Sequence, residues 1–247
     1  MSSQRYTPKG TLYGIGVGPG DPELLTIRAY RIITTAPIIF FPAGRGGHPG
    51  FAQQIVAQFL DMSRQQLIPL PFALNHHEDE LQQAWEAAAH HVTAALATGS
   101  DAVFLSEGDP LTYSTFTHLM RTLQALNADL KINVIPGITS FAAATAAARF
   151  PLVDGDQRVA ILPALYGPRL AEILNQFDTI VLLKVSPVFD QVLDQLEALG
   201  LADQALYARR IGRPEQELYF GLSALRGKVN DYFSLVIIYT QRGMRNA

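Results

Sequence analysis

The chain has 247 residues, of which 48% are apolar and 17% charged, so it is long enough for one or two globular domains and too apolar to be disordered. A formal charge of -3 without a long basic run argues against a nucleic-acid partner, and the lack of cysteine excludes disulfides, thiol catalysis and cysteine-bound metal. The polar start, Met1 to Gly10, and the absence of an apolar run of about 20 residues lead to the expectation of a soluble cytoplasmic protein with no membrane partner.

In chain order, Thr11 to Val17 reads as a strand that runs into Gly18-Pro19-Gly20-Asp21-Pro22. Asp21 as cap and Pro22 at the first helical position predict a helix whose apolar face is Leu24, Leu25, Ile27, Ile32 and Ile33. Glycines at 14, 16, 18 and 20 allow positive φ or close approach to a ligand. They do not fit the dinucleotide pattern G-x-G-x-x-G, which would force Pro19 and Pro22 into a helix interior. A second strand, Ile38 to Phe41, leads into Pro42 to Gly50, a glycine-rich segment carrying Arg45 and His48 that reads as a substrate loop or as plain surface.

A helix over Phe51 to Met62 and a strand over Gln66 to Pro69 precede the longest helix. Leu81, Trp85, Ala88, Ala89, Val92, Ala95 and Leu96 form its single apolar stripe, which ends at Gly99. His76, His77, His90 and His91 have no spacing that puts two imidazoles on one helix face, so they read as solvated positions and no metal site is expected.

Ala102 to Leu105 has the continuous apolar pattern of a parallel strand covered on both faces. Gly108-Asp109-Pro110 ends it, and Phe116, Leu119, Met120, Leu123 and Leu126 form the next helix, with Thr112 or Ser114 as cap and Asn127 at its far end. Ligands of open parallel sheets bind at the carboxyl ends of strands, where this turn falls. Lys131 to Ile135 is a strand closed by Pro136-Gly137-Ile138-Thr139-Ser140, and the alanine-rich helix Phe141 to Arg149 follows. Its capped N-terminus offers unpaired N–H groups to a polar ligand, or is simply a well-packed helix end.

A second cycle begins near Pro151. Strands are predicted at Val159–Leu162, Ile180–Leu183, Ala205–Ala208, Glu217–Phe220 and Ser234–Tyr239, with helices at Arg169–Asn175 and Phe189–Leu199, the latter closed by Gly200. The reading is α/β, with domains over 1–135 and 136–247.

Three turns, Gly18-Pro19-Gly20-Asp21, Gly108-Asp109-Pro110 and Pro136-Gly137-Ile138-Thr139-Ser140, each end a predicted strand. Their order and spacing resemble the tetrapyrrole methylase family, the S-adenosylmethionine-dependent methyltransferases of cobalamin and sirohaem synthesis. The resemblance covers Gly10 to about Gln241. It implies two αβα domains of similar size, each with a roughly five-stranded mixed sheet, a cofactor cleft between them, and a homodimer. Glu107 to Phe116 and Pro151-Leu152 through Ile161-Leu162-Pro163-Ala164 look most like the members that methylate the C20 meso carbon of precorrin-2 or its cobalt-containing form.

By that resemblance the cofactor, S-adenosyl-L-methionine with S-adenosyl-L-homocysteine as product, touches Pro19, Gly108, Asp109, Pro110, Tyr113, Thr139, Ser140, Lys184 and Ile211. Relatives differ at Lys184 and Ile211. Asp109 and Tyr113 are the polar candidates near the reaction centre, and no general base is assigned. A tetrapyrrole rimmed with carboxylates needs basic groups gathered locally, for which Arg45, Arg209, Arg210 and Arg213 are the candidates. Another ring-carbon methylase and a non-catalytic tetrapyrrole-binding protein remain open beside this reading. So does a nucleotide-binding protein, although no G-x-x-x-x-G-K-[ST] sequence occurs.

Overall fold

The computed structural model describes residues 10–43, 50–72, 78–164 and 170–240. The chain divides into two compact units, Met1–Thr139 and Ser140–Ala247. Residues 136–139 go with the first unit because Gly137 packs against Gly16 and Gly108.

The first unit runs β1 (Leu12–Gly16), α1 (Ile27–Thr35), β2 (Ile38–Pro42), α2 (Phe51–Val56), β3 (Gln66–Leu70), α3 (Glu78–Ala97), β4 (Ala102–Ser106), α4 (Thr115–Leu126) and β5 (Ile132–Ile135). Its sheet has the order β3-β2-β4-β1-β5, and all of its pairings are parallel. This corrects the expectation of a mixed sheet here. Each strand before β5 is followed by a helical crossover that returns the chain to the same end of the sheet, which is what parallel neighbours require.

β4 is buried along its whole length, and its side chains alternate between two cores. Ala102 and Phe104 join Val92 and Leu96 of α3 and Phe116, Leu119 and Leu123 of α4. Val103 and Leu105 join Ala29 and Ile33 of α1 and Ala52, Ile55 and Val56 of α2. The chain leaves β1 over β4 towards β2, and leaves β4 over β1 towards β5. Adjacent strands whose connections depart in opposite directions make a topological switch point, the place where open α/β sheets bind ligands.

One helix start differs from expectation. Asp21 caps only a 3-10 turn, Pro22–Leu24, by accepting the Glu23 N–H at 2.8 Å. Leu25 is then extended, and Thr26 restarts the chain as α1 by accepting the Ala29 N–H at 3.1 Å, which leaves Ile27 72% exposed. Asn127 closes α4 as expected, in an extended conformation, and its side chain accepts the Asp129 N–H at 3.1 Å.

The second unit runs α5 (Ser140–Ala148), β6 (Val159–Pro163), α6 (Leu170–Leu174), β7 (Thr179–Leu183), α7 (Phe189–Ala198), β8 (Ala205–Arg209), β9 (Glu217–Phe220) and β10 (Ser234–Tyr239). The sheet order is β6-β7-β10-β8-β9, with β6 and β7 parallel and the other pairings antiparallel. One face packs on α6 and α7 through Ile180, Leu182, Tyr207, Val236 and Ile238. Among the described residues, no helix is long and apolar enough to cross a membrane.

Candidate functional site

In the first unit the three turns meet at the switch point. Gly18 and Gly108 take φ of +78° and +60°, and each donates its N–H to the other's carbonyl, at 3.3 Å and 2.8 Å. A Cβ on Gly16 would stand 2.5 Å from the Gly108 carbonyl oxygen and 2.6 Å from Gly137 Cα. One on Gly137 would stand 2.0 Å from that same oxygen, so the close approach at these two positions is to the chain's own backbone. Gly14 likewise makes room for the Phe116 ring rather than for a ligand.

Gly108 is different. Among the described residues a Cβ there would find nothing nearer than the Ile138 carbonyl oxygen at 3.9 Å and Thr139 Cα at 4.0 Å. Its side-chain direction is therefore uncrowded, a strip bordered at van der Waals distance by the backbone of the third turn.

Asp109 ties two of the turns together. Its Oδ1 accepts the Leu111 N–H at 2.9 Å and the Thr112 hydroxyl at 3.2 Å, while Oδ2 accepts the Gly137 N–H at 3.1 Å. Pro110 is buried beside it. Tyr113 holds φ at +50° with its side chain 48% exposed, a left-handed conformation that costs a non-glycine residue about 1–2 kcal/mol. Ser114 caps α4 through the Phe116 N–H at 3.1 Å, and its hydroxyl is hydrogen-bonded to that of Ser106 at 2.6 Å. Of the first-unit candidates, Pro19, Gly108, Asp109, Pro110, Tyr113 and Thr139 therefore lie on the turns that the structure brings together. Ser140 opens α5 in the second unit.

In the second unit, Lys184 and Arg210 immediately follow β7 and β8 and take φ of +58° and +49°. They flank the start of β10, donating their backbone N–H groups to Ser234 and Phe233 at 3.1 Å and 2.9 Å. Ile211 is buried, and the Lys184 ammonium lies 5.7 Å from the Tyr232 ring centroid. Two of the arginines that the sequence suggested for substrate are engaged within the unit, Arg209 with Glu217 and Arg210 with Asp231. The Arg213 guanidinium lies 5.7 Å from the Phe233 ring centroid. Hydrogen bonds from Arg209 and then from the Tyr219 hydroxyl hold the Glu217 carboxyl below its ordinary value. Arg45 and His48, with His76, His77 and Arg169, lie outside the described residues, while His90 and His91 are exposed.

Asp231, Tyr232 and Phe233 were not singled out by sequence reasoning. Their only signal is their place just before β10, and this matters only once β10 is known to lie between β7 and β8.

A parallel sheet with glycine turns meeting at its switch point, followed by a second five-stranded unit, defines a two-unit α/β protein. The chain belongs to the Tetrapyrrole (Corrin/Porphyrin) Methylases, whose family model matches residues 11–225. A "Precorrin-2 C(20)-methyltransferase" of Sinorhizobium sp is 34% identical, over 93% of this chain and 95% of that relative. A "Cobalt-precorrin-2 C(20)-methyltransferase" of Salmonella typhimurium is 31% identical, over 94% of this chain and 97% of that relative. The chain spans about half the length of the first curated relatives that it matches. The "Cobalamin biosynthesis protein CobIJ" of Mycobacterium bovis is 33% identical over 93% of this chain, which is 46% of that protein. A solved structure of uroporphyrin-III C-methyl transferase from Thermus thermophilus, complexed with S-adenyl homocysteine, has the same fold, with a TM-score of 0.65 and 22% identity over 93% of this chain and 92% of that one.

Proposed function

We propose that the chain is an S-adenosylmethionine-dependent C-methyltransferase that acts on the C20 meso carbon of precorrin-2, or of its cobalt-containing form, in cobalamin biosynthesis. The observation that carries this reading is the match over 93–94% of the chain, at 31% and 34% identity, to two relatives named for that carbon. Their names differ in the metal, so the state of the macrocycle is left to the assay.

When bound, S-adenosyl-L-methionine supplies an electrophilic methyl group to a reduced tetrapyrrole carbon and leaves as S-adenosyl-L-homocysteine. The uncrowded strip at Gly108 is where such a group is proposed to lie. Pro19, Gly108, Asp109, Pro110, Tyr113 and Thr139 are the proposed contacts in the first unit, and Ser140, Lys184 and Ile211 are those proposed in the second. Main-chain N–H and C=O groups supply most of the polar contacts, so specificity follows chain path more than side-chain identity. Alignment of the reacting partners is the protein's main contribution, an effect that reaches ~7–11 kcal/mol in favourable systems. Arg213 and Arg45 are proposed to meet the substrate carboxylates. The protein is further proposed to be a cytoplasmic homodimer, which sedimentation at micromolar concentration tests.

The deciding assay incubates the protein with methyl-labelled S-adenosylmethionine and either precorrin-2 or cobalt-precorrin-2, then locates the label by NMR. Label at C20 is expected. Label at another ring carbon identifies a different methylase of the same class, and no label in either macrocycle, with no thermal shift from S-adenosylhomocysteine, overturns the reading.

A further inference from the structure

We infer that Asp109 is a positioning residue, neither acid nor base, whose carboxylate clamps the third turn against the second and so sets the backbone surface that receives the cofactor. The inference rests on the cofactor reading above. Three observations carry it. Both carboxylate oxygens are occupied by donors of the turns themselves: Oδ1 holds the local loop through Leu111 and Thr112, and Oδ2 reaches Gly137, 28 residues on in sequence. Gly137 is the residue whose Cα lies against Gly16 and the Gly108 carbonyl, so this bond helps hold the third turn against the other two. Finally, Ile138 and Thr139, the two residues after Gly137, border the open strip at Gly108. Loosening Gly137 therefore moves the wall of the strip and leaves its floor in place.

The same strand supplies an internal control. At the other end of β4, Asp101 Oδ1 accepts the Thr11 N–H at 2.8 Å, a carboxylate-to-backbone tie of the same chemistry but remote from the turns.

Asp109→Ser is the first test, because a serine hydroxyl can still accept from the local Leu111 N–H but is too short to reach Gly137. Asp109→Asn is the second. Its amide has one acceptor oxygen for two sets of donors, so an NH2 group must face a donor N–H on one side. Each variant is expected to bind S-adenosylhomocysteine about tenfold more weakly by calorimetry, as for loss of one hydrogen bond's worth of organisation. The KM for S-adenosylmethionine should rise in step, while kcat at saturation and its pH profile change less. Asp101→Ala, which removes the acceptor, should lower the melting temperature and leave that affinity as it was. Asp109 variants that match the parent in affinity, or that keep affinity while kcat collapses, overturn the inference, as does an Asp101→Ala protein that weakens binding equally. A parent that binds no S-adenosylhomocysteine removes the cofactor reading itself, and this inference with it.

Discussion

Gly16 ends β1 and Gly137 lies two residues beyond the end of β5, yet a Cβ on Gly16 would stand 2.6 Å from the Gly137 Cα. Backbone occupies that space, so no side-chain rearrangement can make room. Gly16→Ala and Gly137→Ala are each expected to spread the turns, costing about 1–3 kcal/mol as for an overpacked core, and to weaken S-adenosylhomocysteine binding as well. Thermal unfolding and calorimetry on the same samples check both effects. Alanine variants that melt with the parent would mean that the turns are not in contact.

Gly108 separates conformation from space. Its φ of +60° penalises a β-branched residue, whereas asparagine tolerates the left-handed region. Gly108→Val is expected to lose both stability and ligand affinity. Gly108→Asn should stay within about 1 kcal/mol of the parent in stability but lose affinity, because its side chain fills the open strip. Equal affinity in Gly108→Asn would show that the strip receives no ligand.

The arginines of the second unit should behave differently from one another. Arg210→Ala leaves Asp231, whose side chain is 8% exposed, without its cation, so lower stability is expected. The arginine is itself 41% exposed, and solvent screening limits the loss to about 1 kcal/mol, or a melting shift of about 2–4 °C. Arg213→Ala should instead raise the KM for the tetrapyrrole and reduce its salt dependence, with cofactor affinity unchanged. A tetrapyrrole KM and salt slope equal to the parent's in Arg213→Ala would return that residue to ordinary surface charge.

Glu217 predicts a pH dependence. Its folded carboxyl is held below the ordinary value of 4.5 by Arg209 and then by Tyr219. A depressed folded value means that the pair's stabilisation is present above pH 4.5 and disappears as pH falls through the lower folded value. Melting temperatures of the parent and Glu217→Gln should therefore differ at neutral pH and converge in acid. Parallel curves across that range would show that the pairing contributes nothing to stability.

Much of the fold is local and was therefore legible. Continuous apolar runs such as Ala102 to Leu105 marked buried strands, the Leu81 to Leu96 stripe marked α3, and all ten predicted strands are present in the described residues. Burial patterns report whether a segment is covered, and period reports its type, without reference to distant partners. The three turns were legible in the same way, since glycine and proline announce the backbone they require. Helix starts were less secure. Asp21 and Thr26 are both competent caps, and the choice between one helix and a 3-10 turn followed by α1 depended on where the chain had to rejoin the sheet.

Partnership is what only the tertiary structure decided. Nothing local tells Asp109 that its second oxygen will meet Gly137, or Gly16 that its neighbour will be a carbonyl rather than a ligand, because these contacts follow from strand order. Arg209 and Arg210 looked like a free basic cluster for the same reason, since Glu217 and Asp231 reach them only when β9 and the start of β10 are placed beside β8. The sequence alone determined the elements, the turns and the family resemblance. The fold decided which polar groups were satisfied within the protein, because an ion pair or a hydrogen bond over 28 residues exists only when the intervening chain returns to the right strand.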